Sequence, residues 1–481
     1  IYTPNKEAFD RTTHHKKRGY LEALEERENK LFELLLNNRY EQSIIYCSSP
    51  NRVRDLSKRF LNYIVKNGIE SNSVELDINE WIKNNISTDW SLINLLNHKI
   101  GIHDGALQKH ITSSIINYFN DGKLNFLFCT TTIIEGVNTS AKNIIFYDSK
   151  KGRDIPIDFF DYSNIKGRAG RLMMHYTGNI YNFNPIPTDT QITIDIPFYE
   201  QNPISNEVLI TLSDDEVLNK ETDQYKAIKN IPFNEKEIIK NNAVEVFGQK
   251  NIIDKIRRDI NANYNLISWT QTPTYRELEY CLKLGWDHLM KDTESKSLGI
   301  GRLINKTFNY GMHQNMAQLI QSDLTYINEC VQYYDEKNNN PEQEGINKNK
   351  FSYGKRYSEI SDIEIKEEVI MSNFQIHKHW FQYKIPKWLS VINSIQTFVC
   401  NEKGLRPGNY SHYTNLIENE FLRENLTILS EFGIPSSAIR KLENLIPANM
   451  SQDDVISKIK NERIYDNPIF IEYEKNKLKN N

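Results

Sequence analysis

The sequence predicts an α/β domain built on a parallel sheet with flanking helices, followed by a mixed segment and a mainly α-helical C-terminal region. Three observations predict it. Short apolar runs at 44–47, 125–129 and 143–148 have the length and the β-branched and aromatic content of strands buried on both faces. Stretches at 53–66 and 110–119 carry apolar residues at helical spacing and alternate with those runs. From Glu235 onward the helical period dominates, at 235–246, 252–260, 275–289 and 316–334.

Taken in order, residues 1–15 are polar, and Leu21, Leu24, Leu31, Leu34 and Leu35 then mark an amphipathic helix over about 16–39. Ser48-Ser49-Pro50-Asn51 closes the first strand as a turn and helix cap, because a Ser hydroxyl accepts from the free N–H groups of a helix start and Pro fits its first turn. A helix is expected to begin near Ser163 and run to Met173. The run 208–212 with Ser213-Asp214-Asp215-Glu216 reads as a strand and turn. The polar run 334–353 reads as an exposed linker, and the Lys- and Asn-rich tail 475–481 is expected to fray.

Composition narrows the function classes. The 481 residues hold 59 Lys+Arg against 63 Asp+Glu, a formal net charge of −4, so any polyanion must be met by a local basic stripe rather than by the whole surface. No apolar run approaches the ~18 residues of a membrane span. Cys47, Cys129, Cys281, Cys330 and Cys400 are scattered without C-x-x-C or Cys/His spacing, which disfavours a disulfide scaffold and a zinc site and points to a reducing, cytoplasmic setting. No metal site is expected; His377 and His379 lack further ligands at metal spacing. The chain opens at Ile1 rather than methionine, so a fragment of a longer polypeptide is expected.

The chemistry concentrates in 101–171. Gly101-Ile102-His103-Asp104-Gly105 forms a turn leading into a helix, where backbone N–H groups can meet a phosphate; an ordinary turn is the alternative. Thr130, Thr131 and Thr132 follow a strand directly, at the carboxyl end where α/β sheets bind ligands, and Gly136 allows close approach; a threonine-rich turn is the alternative. Asn164-Ile165-Lys166-Gly167-Arg168-Ala169-Gly170-Arg171 sets Arg168 and Arg171 three residues apart, on one face if the segment is helical, where guanidinium groups can stabilise charge developing in phosphoryl transfer. Two glycines beside them weaken a plain surface helix.

In this order and spacing the blocks resemble the second RecA-like domain of superfamily 2 helicases, with 44–49 as motif IV, 130–138 as motif V and 164–171 as motif VI. Gly136-Val137-Asn138 together with Gly167-Arg168-Ala169-Gly170-Arg171 is similar to the superkiller-type, DEAD-box-related branch, which includes RNA-exosome and DNA-repair helicases. The resemblance implies that Arg168 and Arg171 are catalytic arginine fingers reaching ATP on a partner RecA-like domain. It implies ATP coupling through Gly136, Asn138, Asn164 and Gly167, and backbone contacts to nucleic acid from Ser48, Ser49, Arg52, His103, Asp104, Gly105, Thr130, Thr131 and Thr132. Asp104 stands where the family usually has a second His, and Asn164 where it usually has Gln. Lys150, Lys151, Gly152 and Arg153 occupy the place of the strand-separating β-hairpin of DNA-unwinding members; a basic surface turn is the alternative.

No G-x-x-x-x-G-K-[ST] loop occurs, so ATP and Mg²⁺ are expected to be bound mainly by an N-terminal RecA-like half, and this chain alone is expected to be inactive. By the same resemblance the chain divides into a lead-in segment 1–40, a RecA-like domain 41–190, a winged-helix-like domain 191–270, a helical ratchet-like bundle 271–400 with linker 334–353, and a helical domain 401–481. Gly433 and Ser436 fit a helix-hairpin-helix or a plain αα-hairpin. Trp380, Phe381, Tyr383 and Trp388 beside Lys378, Lys384 and Lys387 fit core packing better than base stacking. The implied partners are single-stranded or partly duplex nucleic acid, DNA favoured, the N-terminal half, and a nuclease subunit of the kind paired with the large helicase of bacterial anti-phage systems such as Hachiman; no membrane is implied. RNA as substrate and a non-catalytic scaffold stand as alternatives.

Overall fold

The computed structural model describes residues 14–69, 74–133, 141–152, 155–170, 177–188, 201, 203–291, 298–312, 315–339 and 354–480. The chain divides into two compact units, one of 1–191, 323–374 and 428–481, the other of 192–322 and 375–427.

The first unit is an α/β domain. Its strands β1 (Ser43–Tyr46), β2 (Ile100–His103), β3 (Phe126–Cys129), β4 (Asn143–Phe146) and β7 (Asn179–Asn182) form one sheet in the order β2-β3-β1-β4-β7, every pair parallel. A two-stranded hairpin, β5 (Lys150–Lys151) with β6 (Ile155–Pro156), follows β4. All four residues of each of β1 to β4 are buried, as expected of strands covered on both faces. The covering helices are α1 (His14–Asn37), α2 (Pro50–Lys66), α3 (Ile78–Asn85), α4 (Ser91–Asn97), α5 (Lys109–Asn120) and α6 (Phe159–Lys166).

The three expected strands and the lead-in helix form where the pattern places them. β2 was not expected as a strand because Gly101 interrupts its apolar run. A Cβ there would lie 2.9 Å from Ile115 Cγ2, so the glycine is what lets α5 pack down on β2. The helix expected from Ser163 is a correction: α6 starts at Phe159, capped by Asp158, and ends at Lys166. Gly167 closes it, Gly170 takes φ +64°, and a Cβ on Gly170 would lie 2.7 Å from the Gly178 nitrogen. The two glycines of motif VI therefore end a helix instead of burdening one, and the shared helical face expected for Arg168 and Arg171 is not formed at Arg168.

The C-terminal residues belong to this unit. Helices Ser436–Leu442 and Glu472–Asn480 pack on α3 and α5: Trp81 Nε1 donates to Ser437 Oγ at 2.9 Å, and the buried Tyr473 hydroxyl lies 2.9 Å from His110 Nδ1. The tail expected to fray is instead helical to Asn480, with Tyr473 and Leu478 each 1% exposed. Aromatic and aliphatic anchors spaced along one helical face outweigh its polar composition.

The second unit is helical. Helices Val246–Ile267, Tyr275–His288, Ile300–Gly311, Ile385–Glu402 and Ser411–Glu418 share a core that includes Ile253, Leu282, Leu303, Leu389 and Ile392. Trp380, Phe381 and Trp388 are buried in it, and Tyr383 alone of that aromatic group is exposed. The cuts expected at 270 and 400 therefore fall inside one packed core. The strand expected at 208–212 is a helix, Asn206–Leu209, started by the Ser205 hydroxyl accepting from Val208 N. Among the described residues from 201 to 270 there is no strand. The helix Met316–Asn339 takes up 334–339 of the expected linker, and 340–353 lie outside the described residues.

Candidate nucleic-acid edge and arginine loop

Because every strand of the sheet runs the same way, segments far apart in sequence leave it at one carboxyl edge. Across that edge they stand in the order His103–Gly105 after β2, Thr130–Thr132 after β3, Ser48–Arg52 after β1, and Asp148 with the hairpin after β4. Sequence order differs from this spatial order, since β1 lies between β3 and β4.

The β2 turn is held from below. Arg54 on α2 and Asp104 are both buried, and Arg54 Nη1 meets Asp104 Oδ2 at 2.9 Å; Asp104 Oδ1 accepts from Ala106 N at 2.8 Å. Burial draws the Arg54 guanidinium below its usual pKa, opposed by the adjacent Asp104. The Asp104 side chain thus faces inward, not toward a nucleic-acid backbone as expected, because a buried guanidinium claims it. It shapes the turn that presents Gly105.

The β3 end is tied to the same turn. Thr130 N donates to the His103 carbonyl at 3.2 Å, Thr132 Oγ1 lies 3.2 Å from His103 Nδ1, and the Thr130 and Thr132 hydroxyls are 3.0 Å apart. His103 and Thr130 are buried, while Thr131 and Thr132 are half-buried. Ser49 caps α2 by accepting from Arg52 N at 3.3 Å, so part of its hydrogen-bonding capacity serves the helix start. Ser48 N donates to Asp148 Oδ2 at 2.9 Å, and Arg52 Nε lies 3.7 Å from the same oxygen. The Cys47 and Cys129 thiols under this edge are pushed up by burial, which removes them as nucleophiles.

The hairpin expected at 148–157 forms, with Gly152 at φ +69° where it turns. Lys151 Nζ, on the hairpin, sits 2.5 Å from Asp161 and 3.1 Å from Asp158 at the start of α6. Arg153 lies outside the described residues, as do Gly136, Asn138 and Arg171.

Arg168 leaves α6 at the opposite edge. Its carbonyl accepts from Ala141 N at 3.1 Å, Gly170 N donates to the Ala141 carbonyl at 3.1 Å, and Ala141 precedes β4 by two residues. Asn164 is half-buried on α6 and Gly167 exposed at its end. A single covalent segment, 130–141, thus begins at the threonines of the carboxyl edge and ends paired with the arginine loop at the amino edge. The strands between these edges are four residues long, on the order of 13 Å.

At the C-terminal hairpin Gly433 is buried with φ +75°, and a Cβ there would meet Ser113 Oγ at 3.6 Å. Ser436 opens the helix Ser436–Leu442 without a side-chain cap, and the neighbouring Ser437 hydroxyl is bonded to Trp81 and Glu474. A turn packed against α5 in this way is a plain αα-hairpin in its contacts.

Residues 71–173 match the model of the helicase conserved C-terminal domain. That region is similar to the C-terminal domain of helicases. The chain is 26% identical to anti-bacteriophage protein B of Escherichia coli over 415 residues, covering 84% of this chain and 52% of that protein. It is 36% identical over 87 residues to the exosome RNA helicase MTR4 of Homo sapiens, 18% of this chain and 8% of that protein. Over 89 residues it is 32% identical to activating signal cointegrator 1 complex subunit 3 of Dictyostelium discoideum, 18% of this chain and 4% of that protein. The chain spans about half the length of the first of these relatives and much less of the others. No described helix is long and apolar enough to cross a membrane.

Proposed function

We propose that this chain is the motor-coupling half of an ATP-driven nucleic-acid helicase, acting on DNA in the 3′ to 5′ direction in bacterial anti-phage defence, with a nuclease subunit as its partner. The observation that carries the reading is that Thr132 meets His103 at the carboxyl edge of the sheet, while Ala141 pairs with the loop of Arg168 at its amino edge. The similarity to an anti-bacteriophage protein over most of the chain supports the defence role.

In this reading the carboxyl edge holds the sugar-phosphate backbone through N–H and hydroxyl groups at Ser48, Ser49, Gly105, Thr131 and Thr132, so affinity falls steeply with salt. ATP is the substrate, held with Mg²⁺ by a first RecA-like domain, and Arg168 and Arg171 close on its phosphates. The half-buried guanidinium of Arg168, fixed through its backbone to Ala141, would stabilise the charge that develops on the transferred phosphoryl oxygens. When that charge is gone the arginine loop is released, and its pairing with Ala141 links that release to the start of β4. Asn138, Gly136 and Asn164 couple the two edges.

The test is steady-state ATP hydrolysis by protein carrying both RecA-like domains, without nucleic acid, with single-stranded DNA and with single-stranded RNA. Stimulation by DNA, abolished in Arg168→Ala, is the expected result. Stimulation by RNA alone moves the reading to RNA processing, which the similarity to an exosome RNA helicase favours. Binding without hydrolysis in every arm leaves a scaffold.

A further inference from the structure

Resting on the helicase reading, we propose that Glu367 is a positioning residue for the nucleic-acid edge: from a helix far along the chain it fixes α4 by way of Ser91, and α4 in turn fixes the turn that presents Gly105. The hold on a single strand then depends on a carboxylate that touches neither the strand nor ATP.

The first unit includes a segment from late in the chain, 323–374, whose helix Asp362–Ile376 lies against the start of α4. Three successive residues there meet three side chains of that helix. Asp89 pairs with Lys366 at 2.5 Å, and the Trp90 ring lies 5.4 Å from that of Phe374. Ser91 donates twice to Glu367, from its hydroxyl to Oε1 at 2.8 Å and from its backbone N to Oε2 at 3.4 Å. The helix is itself anchored, since Asn373 Nδ2 donates to Asp323 Oδ2 at 2.8 Å.

These contacts differ in setting. The pair of Lys366 and Asp89 is exposed, and such pairs contribute little. Glu367 is 8% exposed, and a carboxylate taken out of water is costly unless its oxygens are bonded and its charge is answered. Both oxygens are bonded to Ser91. The charge is answered by Arg54: burial lowers the pKa of that guanidinium, Asp104 raises it, and Glu367 raises it next. Ser91 N is one of the N–H groups that a helix start leaves free, and Trp90, the cap residue of α4, offers it no side-chain bond.

α4 packs on β2 and on α2. β2 ends in the turn His103–Gly105, and α2 carries Arg54, which holds Asp104 in that turn. Only His98 and Lys99 separate α4 from β2, and Lys99 takes φ +61°. A loosened start of α4 thus reaches the turn by two routes, through β2 and through α2.

The experiment compares wild type, Glu367→Ala, Glu367→Gln and Lys366→Ala in protein carrying both RecA-like domains, at a temperature where circular dichroism shows them folded. Anisotropy of fluorescein-labelled oligothymidylate and oligouridylate gives the Kd, and ATP hydrolysis is followed against the concentration of whichever strand binds more tightly. In Glu367→Ala the Kd and the strand concentration for half-maximal hydrolysis are expected to rise about tenfold, short of the ~10²-fold of a 1 Å misplacement because Arg54 still holds Asp104. Hydrolysis at saturating strand is expected within about twofold of wild type, a split that a purely structural glutamate would not produce. Glu367→Gln keeps an acceptor for Ser91 and is expected to recover binding to within about threefold. Lys366→Ala, which breaks only the exposed pair of the same contact, is expected within about twofold in every measurement. An unchanged Kd in Glu367→Ala overturns the assignment, as does an equal loss in Lys366→Ala or a Gln variant as impaired as the Ala variant. If Glu367→Ala does not fold, Ser91→Ala decides: it removes the shorter of the two bonds, and binding equal to wild type overturns the assignment. A wild type that binds neither strand overturns the helicase reading itself, whereas a wild type that binds, with variants that bind equally well, overturns only the role of Glu367.

Discussion

Two ion pairs in the α/β unit share a chemistry and differ in setting. Arg54 and Asp104 are 7% and 0% exposed in their side chains and meet at 2.9 Å; Lys441 and Glu474 meet at 2.5 Å, but the Lys441 side chain keeps 29% exposure. The first pair is sealed under the β2 turn. The second reaches toward water along one side, as a long lysine stem permits. A sealed pair fixes the geometry of what lies above it, because neither charge can turn to water and both are further held, Arg54 by Asn51 and Asp104 by Ala106 N. A half-open pair attaches an element that can let go, since its cation regains solvent when the bond breaks. The first supports the turn at the end of β2, and the second ties the helix Ser436–Leu442 to the helix Glu472–Asn480.

The comparison can be sharpened first by a residue outside both pairs. Arg168→Ala, in protein with both RecA-like domains, is expected to lower stimulated ATP hydrolysis on the order of 10³-fold, while leaving the melting temperature of the α/β unit within a degree or two. A large loss of stability instead would place Arg168 with the structural charges. Breaking the sealed pair comes next. Asp104→Ala leaves the buried Arg54 guanidinium without its paired carboxylate, with only the neutral Asn51 amide still bonded, and should cost about 3–5 kcal/mol in chemical denaturation, more than Asp104→Asn, which keeps a hydrogen-bond acceptor.

Glu474→Ala is expected to cost less, about 1–3 kcal/mol, because it strands the Ser437 hydroxyl and a lysine that can turn outward. Amide exchange should accelerate across 436–480 while β1 stays protected; equal acceleration in both would erase the distinction between support and attachment.

The smallest effect is that of pH. Burial, with help from Lys477, holds His110 well below the usual imidazole range, whereas in the unfolded chain it titrates near 6.5. Between those values the unfolded state binds more protons, so stability falls as pH drops below about 6.5, by at most ~1.4 kcal/mol per pH unit. Lys477 repeats the sign higher up: burial draws it down to about 8, so docking tightens as pH rises from there toward the ordinary lysine value. Exchange of 472–480 relative to β1, corrected for intrinsic rates, should rise on acidification from pH 7 to 5.5 in wild type and stay flat in His110→Gln.

Much of the fold was legible locally. A strand buried on both faces announces itself by a run of Ile, Phe and Tyr, as in 44–46 and 126–128, and the spacing of the motif blocks pointed to one sheet edge because parallel strands end together. β2 escaped because its glycine answers to a neighbouring helix and leaves no mark in the period of its own strand. The arginine loop was misread in shape for a similar reason: Gly170 is required by the backbone of Gly178, which enters from another strand connection. The inward turn of Asp104 and the pairing of Lys151 with α6 could not be read at all, since their partners are set by which elements the fold brings together.

The sequence by itself determined β1, β3 and β4, the helices α1, α2 and α5, the order of the motif blocks, and the absence of a phosphate-cradling loop from these residues, because period, turn residues and spacing act between neighbours in the chain. Only the tertiary structure decided which charges face inward, where the motif VI helix ends, and that the last helix docks on the α/β unit. Those outcomes rest on contacts such as Arg54 with Asp104 and Trp81 with Ser437, separated by 50 and 356 residues. Burial gives such contacts their strength, and burial is a property of the folded neighbourhood that no local pattern contains.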